Sequence, residues 1–305
     1  MQTPDRISRV PRAVPSLWKS RSGDARACIR RAGTIQRHQN AVAEVLDVIR
    51  RDPSAPLTVE TLARVANMSH YHFLRTFEEV TGVTPHRFIT ALRMEQAKRL
   101  LLEQTLAVTA ICFEVGYNSL GTFTRLFVEY VGTTPKRFRK FGASFGQQPL
   151  EWLVTGYFAQ QRSRYTKGTI SGFVWAPAKW CGAIFVGAFG SSVPERLPID
   201  GTLLVQQGRF ELALPSLDRT YCVMAAGFPS NSTIAQCLVP AQHDLLVASS
   251  VIRQGRDELT SRRELTLRKP HMFDPPIVTA LPLLLNANPY QANRNSGEAS
   301  RQRNR

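Results

Sequence analysis

The amino-acid sequence predicts a multidomain chain, in which an all-α domain is followed by an all-β antiparallel sandwich. Three observations support this prediction. Apolar residues recur at helical spacing between residues 40 and 141, whereas between residues 168 and 285 they lie in short alternating runs that Gly, Pro, Ser and Asn separate. The third observation is length, because 305 residues, 43% of them hydrophobic, can form two cores of ordinary size.

The two ends of the chain differ in composition from both regions. Residues 1–39 contain nine Lys and Arg against two acids, a net charge of +7, and the whole chain carries +16. Residues 286–305 are polar and nearly free of aliphatic side chains. We therefore predict disordered segments at both ends, and a linker over residues 142–167. Since no secretory signal or bilayer-spanning run is evident, we expect a cytoplasmic protein with no membrane partner.

The sequence offers little for metal binding or catalysis. The five cysteines are irregularly spaced and form no Cys-x-x-Cys pair, which predicts reduced core residues and not a disulfide framework. His243 with Asp244, and His271 with Asp274, are too sparse for a metal or catalytic site, so we predict no metal and no cofactor. The cysteines are Cys28, Cys112, Cys181, Cys222 and Cys237.

The helical region opens with three predicted helices. Residues 40–51 place four apolar side chains at i, i+3, i+4 and i+7, and an Asp-Pro pair follows. The run "TVETLARVA" predicts a second helix with Thr58 as its N-cap. After a short turn, a third helix begins with Ser69 as its N-cap. It ends at Gly82, because glycine readily adopts the left-handed conformation that terminates helices. The second and third helices together predict a helix-turn-helix.

The same pattern returns fifty residues later. Residues 62–88 and 112–138 are identical at eleven of 27 positions, which include a cap, two aromatics, an arginine and the stop glycine. The sequence therefore predicts two helix-turn-helix motifs. A helix of about twenty residues separates them and would span roughly 30 Å, close to the ~34 Å between successive major-groove faces. The identical pairs are Val65/Val115, Ser69/Ser119, Phe73/Phe123, Arg75/Arg125, Phe77/Phe127, Glu79/Glu129, Gly82/Gly132, Thr84/Thr134, Pro85/Pro135, Arg87/Arg137 and Phe88/Phe138.

These motifs carry a family resemblance. The segment from Asn40 to Phe141 resembles the DNA-binding domain of the AraC/XylS family of bacterial transcription regulators, most closely in "LARVANMSHYHFLRTFEEVTGVTPHRF" and "GYNSLGTFTRLFVEYVGTTPKRFR". The resemblance implies a sequence-specific, non-enzymatic transcription regulator that places two recognition helices in successive major grooves of double-stranded DNA. It also implies RNA polymerase as a partner. The DNA-binding segment lies on the N-terminal side here, whereas most family members carry it last.

Recognition helices of this kind present their N-terminal turns to base edges. Tyr71 and Arg75 stand one turn apart, and the family residues that match them lie in the groove. An arginine there can bond guanine O6 and N7 together, although pairing of Arg75 with Glu78 or Glu79 at the surface remains an alternative. The predicted base-reading residues are His70, Tyr71, Leu74 and Arg75 in the first motif, and Leu120, Gly121, Thr122 and Arg125 in the second.

The two motifs differ at the positions that would face the bases. The first has "HYH" where the second has "LGT", and leucine and glycine offer little hydrogen bonding to base edges. We therefore predict that the first motif supplies most of the sequence discrimination. Phosphate contacts are predicted from helix-end caps and cations, because both are ready anion sites. These residues are Ser69, Arg87, Arg93, Ser119, Thr124, Arg137, Arg139 and Lys140.

The second half of the chain predicts about seven strands over residues 168–285. The glycines Gly172 and Gly201, with Phe210 and Tyr221, resemble the carboxypeptidase-regulatory or transthyretin-like β-sandwiches. Such a domain would sense a small-molecule effector or bind a partner. Two other functions are alternatives. A net charge of only +3 over residues 40–141 leaves open an architectural, nucleoid-associated role with little specificity. A methyl-accepting DNA-repair enzyme needs an activated cysteine in a Pro-Cys-His-Arg setting, and the β-region cysteines lack one.

Overall fold

The computed structural model describes residues 25–152, 168–190, 198–215, 220–240, 244–252 and 263–281. The disorder predicted for residues 1–24 and 286–305 lies outside these residues. The chain divides into two compact units, residues 1–40 and 41–305. Within the first unit, the described residues 25–40 are helical.

The described residues form eight helices and seven strands. The helices are α1 (Ala25–Arg51), α2 (Val59–Val65), α3 (His70–Thr81), α4 (Pro85–Glu103), α5 (Val108–Glu114), α6 (Leu120–Val131), α7 (Pro135–Phe145) and α8 (Ile234–Leu238). The strands are β1 (Gly168–Trp175), β2 (Gly182–Phe189), β3 (Asp200–Leu204), β4 (Gly208–Leu214), β5 (Tyr221–Pro229), β6 (Leu246–Ile252) and β7 (Arg263–Thr266).

Helix α1 begins earlier than the sequence pattern predicts. It starts at Ala25, so the disorder predicted for residues 25–39 is wrong. The physical reason is composition: this stretch is free of proline and rich in Ala, Arg, Ile and Gln, most of which form helices readily without any apolar periodicity.

The predicted helix-turn-helix boundaries are confirmed. The Thr58 hydroxyl accepts a hydrogen bond from the Thr61 amide at 3.2 Å, which caps α2. Gly82 and Gly132 end α3 and α6 in the left-handed conformation, with φ of 76° and 89°. Each is followed by a Thr-Pro pair that opens the next helix, α4 or α7. Sequence periodicity and cap chemistry therefore place both motifs, α2–α3 and α5–α6.

Each motif has a separate hydrophobic cluster. The first-motif core is formed by α1–α4, and the second cluster, here called the shared core, contains residues of α4–α7 together with the β-region. Helix α4 contributes Phe88 and Leu92 to the first cluster and Ala97 and Leu101 to the second. The single apolar stripe predicted along this helix is thus divided between two cores. The first-motif core is Val42, Val45, Leu46, Ile49, Leu62, Ala63, Ala66, Phe73, Phe77, Val83, Phe88, Ile89 and Leu92.

The β-region consists of two packed sheets, as the sandwich prediction requires. One has the strand order β4-β1-β7 and the other β3-β2-β5-β6. All pairs are antiparallel except β1 with β7, where Gly172 is opposite Arg263 in a parallel register. For this pair the antiparallel prediction is wrong, because β7 follows β6 of the opposite sheet and no hairpin fixes its direction. The transthyretin-like resemblance stays a prediction.

The four-stranded sheet is covered on both faces. All eight residues of β2 are buried: Ile184 and Val186 face the three-stranded sheet, whereas Ala183 and Phe185 belong to the shared core. Helices α4–α7 contribute most of the other side of that core, and α8 adds Leu238. Residues 41–281 therefore contain three layers, helices on sheet on sheet, and the second motif packs on the β-region.

The first part of the predicted linker, residues 142–152, is structured. Helix α7 continues to Phe145, and Leu150 is buried in the shared core with its amide donating to Ser232 O at 2.9 Å. Residues 142–152 thus pack against the β-region, because Phe145 and Leu150 bring apolar surface to it. The rest of the predicted linker, residues 153–167, lies outside the described residues.

The last described segment crosses both motifs. Residues 271–281, here called the C-terminal strap, follow β7. Phe273 packs against the first-motif core, and Met272 O accepts a 2.6 Å hydrogen bond from Arg50. Further on, the Ala280 amide donates to Val131 O of the second motif at 3.1 Å. The strap therefore connects the β-region with both halves of the helical domain.

The cysteine prediction is confirmed at three positions and wrong at one. Cys112, Cys222 and Cys237 are buried, whereas Cys181 is exposed because it lies in the turn before β2. The side chain of Cys28 lies outside the described residues. Among the helices that the structure describes, none combines the length and the apolar character needed to cross a membrane.

Candidate nucleic-acid interface

Helix α3 has one buried face and one exposed face. Phe73 and Phe77 are fully buried in the first-motif core, with their rings 5.7 Å apart. On the other side, Tyr71 is 86% exposed and the Arg75 side chain is 72% exposed. This amphipathic division directs the predicted readers Tyr71 and Arg75 to solvent.

The N-terminal turn of α3 is held by a contact that the sequence analysis missed. His70 Nδ1 lies 3.3 Å from Glu60 Oε1, and the His70 ring meets the Tyr71 ring edge-on at 5.4 Å. The pKa of Glu60 is lowered, first by a hydrogen bond from its own backbone amide and then by the Thr58 hydroxyl. The carboxylate thus ties α2 to the start of α3. Leu74, another predicted reader, is half-buried.

Both arginines predicted to read bases lie beside a glutamate one turn further along their helix. Arg75 Nε is 3.9 Å from Glu79 Oε1, and Arg125 Nη1 is 3.5 Å from Glu129 Oε2. The alternative of a surface ion pair is therefore partly realised. Exposed pairs of this kind contribute only about 0.3–0.5 kcal/mol, so either guanidinium can exchange its glutamate for a stronger partner.

Helix α6 exposes smaller side chains at its N-terminal turn. Leu120 is 41% exposed, and Gly121 and Thr122 are exposed beside it. A Cβ at Gly121 would meet only the Ser119 hydroxyl, at 3.8 Å, so the space above this turn is open. The Ser119 hydroxyl itself accepts from the Thr122 amide at 3.4 Å. Arg125 is thus the one long polar side chain among the four predicted readers of this helix.

The predicted phosphate contacts divide into exposed and structural residues. Ser69, Ser119, Arg137 and Lys140 are exposed, and Arg87 and Thr124 are half-buried. Ser69 stands at the N-cap position of α3 without a capping side-chain hydrogen bond. Lys136, which the sequence analysis missed, is exposed on α7 with Arg137 and Lys140, and this helix contains no acid. Its i, i+4 spacing from Lys140 in the sequence already indicates that the two lysines share one face of the helix.

Arg93 lies elsewhere than a phosphate contact requires. Its guanidinium donates to Pro53 O at 2.7 Å, to Ala55 O at 2.9 Å and to Gly116 O at 3.2 Å. It also lies over the Tyr117 ring, 5.4 Å from the centroid. Because backbone carbonyls occupy its donors, we withdraw Arg93 as a phosphate contact.

Arg139 is used in a similar way. Its Nη2 donates to Leu106 O at 2.6 Å and its Nε to Leu101 O at 3.3 Å, so this side chain joins α7 to the end of α4 and the following loop. The carbonyl of Leu101 in the last turn of α4 and that of Leu106 in the loop have no acceptor role within the helix, so the arginine can satisfy both. The main role of the Arg139 side chain is accordingly to join α7 to α4, and its predicted phosphate contact stays a prediction.

A buried lysine connects the linker helix to the β-region, and the sequence analysis did not single it out. Lys98 of α4 is fully buried, and its Nζ donates to Leu238 O at 2.8 Å and Ile277 O at 3.2 Å. Burial lowers the pKa of Lys98 to about 8, and the nearby Glu95 opposes that shift. Burial also raises the pKa of Glu95. One ammonium thus joins α4, the end of α8 and the C-terminal strap.

The buried thiols are not activated. Burial raises the pKa of Cys222 and of Cys237 to about 12, and it raises the pKa of Cys112 as well. A nucleophilic cysteine needs a lowered pKa, so these three are unsuited to group transfer. Over the described residues, no group of three or more His, Cys, Asp or Glu side chains is arranged to hold a metal ion.

Comparison with known proteins agrees with this geometry. A family model described as a helix-turn-helix domain matches residues 62–140. The RCS-specific HTH-type transcriptional activator RclR of Escherichia coli is 39% identical over 88 residues, 29% of this chain and 31% of RclR. The "Probable transcription factor PqrA" of Proteus vulgaris is 30% identical over 86 residues, 28% of this chain and 70% of that protein. The bifunctional transcriptional activator/DNA repair enzyme AdaA of Bacillus subtilis is 30% identical over 140 residues, 44% of this chain and 66% of that protein.

Two helix-turn-helix motifs on one connecting helix, matched in this way, define a double helix-turn-helix DNA-binding region. The chain belongs to the AraC/XylS family of transcription regulators. It spans about a third of the length of RclR, and the family model ends at residue 140, before the first strand.

Proposed function

We propose that this protein is a sequence-specific transcription regulator that binds double-stranded DNA with α3 and α6 in successive major grooves. One observation carries the proposal: each of these helices buries its aromatic face and exposes the opposite face, on which an arginine stands one turn from its N-terminus. The described residues of the β-region contribute to the shared core, and Tyr71, Arg75 and Arg125 remain exposed in their presence. Two such faces on one connecting helix suit two grooves of one duplex.

We propose further that the first motif is the principal reader. Tyr71 and Arg75 give it a highly exposed aromatic and a guanidinium on one face, with His70 fixed between Glu60 and Tyr71. The second motif offers Thr122 and Arg125 beside an open glycine turn. Side chains that can pair with base edges therefore concentrate on α3, whereas α6 and α7 suit orientation and backbone contact.

The β-region is proposed to sense a small-molecule effector or to bind a partner, and to act on DNA binding through its packing. Support comes from the shared core, the strap and the Lys98 hydrogen bonds, which all join the β-region to the DNA-binding helices. A change in β-region packing would therefore shift the position of α4. RNA polymerase at the promoter is the proposed partner of the DNA-bound form, and the cytoplasm is the proposed location of the protein.

Binding-site selection tests this function. The full chain is used to select sites from random double-stranded DNA, and its affinity for the selected and the random DNA is then titrated against salt. A regulator is expected to prefer its selected site by ~10³ or more, with the preference kept at physiological salt. Equal affinities that fall with salt along the same slope would instead favour the architectural role, in which phosphate attraction by the basic residues dominates.

Methyl transfer is the second activity that a relative's name raises, since AdaA is a DNA repair enzyme as well as an activator. Three of the four cysteines whose surroundings the structure describes are buried with raised pKa values. Cys181 is exposed, and the Ser230 hydroxyl, which is not a base, lies 3.7 Å from its Sγ. We therefore propose regulation without an enzymatic step.

A further inference from the structure

The two motifs do not share a hydrophobic cluster. The first-motif core and the shared core have no residue in common, and α4 is the helix that contributes to both. Hydrophobic packing therefore holds each motif on its own part of α4, and the direct contact between the two sides has to come from other groups. Because DNA fixes where its grooves lie, the angle between α3 and α6 decides whether both helices can bind at once.

Arg93 lies at the middle of α4, where the two motifs meet. Its Nε and Nη2 donate to the carbonyls of Pro53 and Ala55, in the loop that leads into the first motif. Its Nη1 donates to the carbonyl of Gly116, in the turn of the second motif. One planar group thus bonds to both motifs, and Tyr117 covers it from the second-motif side.

The loop and the turn also touch directly. Gly116 has a φ of +84°, and a Cβ placed there would lie 2.4 Å from Ser54 O. Glycine is thus required both by backbone conformation and by space. This close approach is independent of the arginine hydrogen bonds, and it brings the loop before the first motif directly against the turn of the second.

We infer that Arg93 is a positioning residue that fixes the angle between the two recognition helices and thereby the spacing of the two DNA half-sites. The inference rests on the proposed function. Arginine suits this task because its donors lie in a rigid planar fork that can reach acceptors on two sides. Lysine keeps the charge but carries its donors at one point, so it cannot span the loop and the turn together.

The test compares three full-length proteins: the wild type, Arg93→Lys and the matched control Arg99→Lys. Arg99 lies on the same helix and is exposed, so its replacement changes an arginine without touching the contact. Each protein is titrated with the site selected by the wild type, with the same site after one half is scrambled, and with sites in which one or two base pairs are inserted between the halves.

For the wild type and Arg99→Lys we expect strong binding to the selected site and a sharp loss on insertion. For Arg93→Lys we expect about tenfold weaker binding to the selected site, because joint binding depends on alignment of the two motifs. Its affinity for the half-scrambled site should equal that of the wild type, and its preference for one spacing should flatten. A purely structural loss would instead weaken all sites in parallel.

Two results would overturn the inference: a wild-type spacing preference in Arg93→Lys, or an equal loss on complete and half-scrambled sites. If Arg93→Lys loses its helical circular dichroism, Gly116→Ala replaces it, since this change widens the same contact and keeps the guanidinium. A folded Gly116→Ala protein with wild-type spacing preference would overturn the inference as well. Failure of the wild type to prefer its selected site over random DNA would instead reject the proposed function.

Discussion

The two helix-turn-helix motifs are built from the same caps, aromatics and stop glycines, but they lie in different surroundings. The first motif has a core of its own. Among the described residues that follow α4, Phe273 packs against this core. The second motif is part of the shared core, where Phe123 and Phe127 belong to the same cluster as Phe185 and Phe228 of the β-region. The copies thus agree in local structure and differ in what holds them.

The two motifs therefore differ in their proposed roles: one suits base reading, and the other suits coupling to the β-region. The motif with the richer set of proposed base-reading side chains, Tyr71 and Arg75, is the one with fewer contacts to the β-region. The motif with the plainer surface, Leu120 and Gly121, is the one that the β-region packs against. A change in the β-region would therefore move the second motif relative to the first more readily than it would alter the reading face of the first.

The largest expected effect comes from truncating the matched core residues Phe77 and Phe127, both fully buried. Phe77→Ala and Phe127→Ala should each destabilise the protein by about 3–5 kcal/mol, since both leave a cavity in a packed core. The comparison lies in where the damage spreads. After Phe77→Ala, amide hydrogen exchange should accelerate only in α1–α4. After Phe127→Ala, it should accelerate in α4–α7 and also in β2 and β5. Identical exchange patterns would mean that the two cores behave as one.

A smaller effect is expected from the buried ammonium of Lys98. Its pKa is lowered to about 8 in the folded protein, whereas an unfolded lysine keeps about 10.4. Between these two values the unfolded chain binds more protons, so the contribution of Lys98 to the free energy of unfolding rises with pH. The full difference amounts to about 3 kcal/mol, gained as the pH rises from about 8 to above 10.

The measurement is urea unfolding of the wild type and Lys98→Met across this pH range. The wild type should gain stability relative to the variant as the pH rises, because only the wild type loses a buried charge. Because burial raises the pKa of Glu95 and Lys98 opposes that rise, the same comparison is repeated in a Glu95→Gln background, where this carboxyl group cannot titrate. A constant difference between the two proteins from pH 7 to 10.5 would show that the ammonium is not buried as described.

Base reading should produce the next effect. Replacing Tyr71 and Arg75 by alanine should remove more discrimination between selected and random DNA than replacing Thr122 and Arg125. The guanidinium alone is expected to contribute about 1–3 kcal/mol when it binds a guanine. Repeating the binding-site selection with each double variant measures this directly. If the second pair lost as much discrimination as the first, or more, the assignment of the first motif as principal reader would be wrong.

The sequence predicts local structure well and long-range contacts poorly. Helix caps, stop glycines and the aromatic pairs are local signals, so both motifs and all seven described strands follow from short stretches. Arg93 shows the limit: at the sequence level it is one more cation on a helix, and its partners at Pro53 and Gly116 are 40 and 23 residues away. Lys98 is a similar case, since its acceptors Leu238 and Ile277 come from the second half of the chain.

The smallest expected effect concerns the paired glutamates, Glu79 on α3 and Glu129 on α6. Each lies beside its recognition arginine, at 3.9 Å and 3.5 Å, and each would have to release that arginine before it binds DNA. Glu79→Gln and Glu129→Gln should change the free energy of unfolding by less than about 0.5 kcal/mol, since such exposed pairs are weak. Both should raise DNA affinity slightly, because a negative charge near the phosphates is removed.

The two glutamate variants separate the motifs once more. If Arg75 reads a base, Glu79→Gln should strengthen binding to the selected site more than to random DNA. If Arg125 contacts only the backbone, Glu129→Gln should strengthen both equally, because phosphate contact carries no sequence information. A titration of both variants at two salt concentrations measures this difference. An equal gain on selected and random DNA for Glu79→Gln would return Arg75 to the role of a surface ion-pair partner.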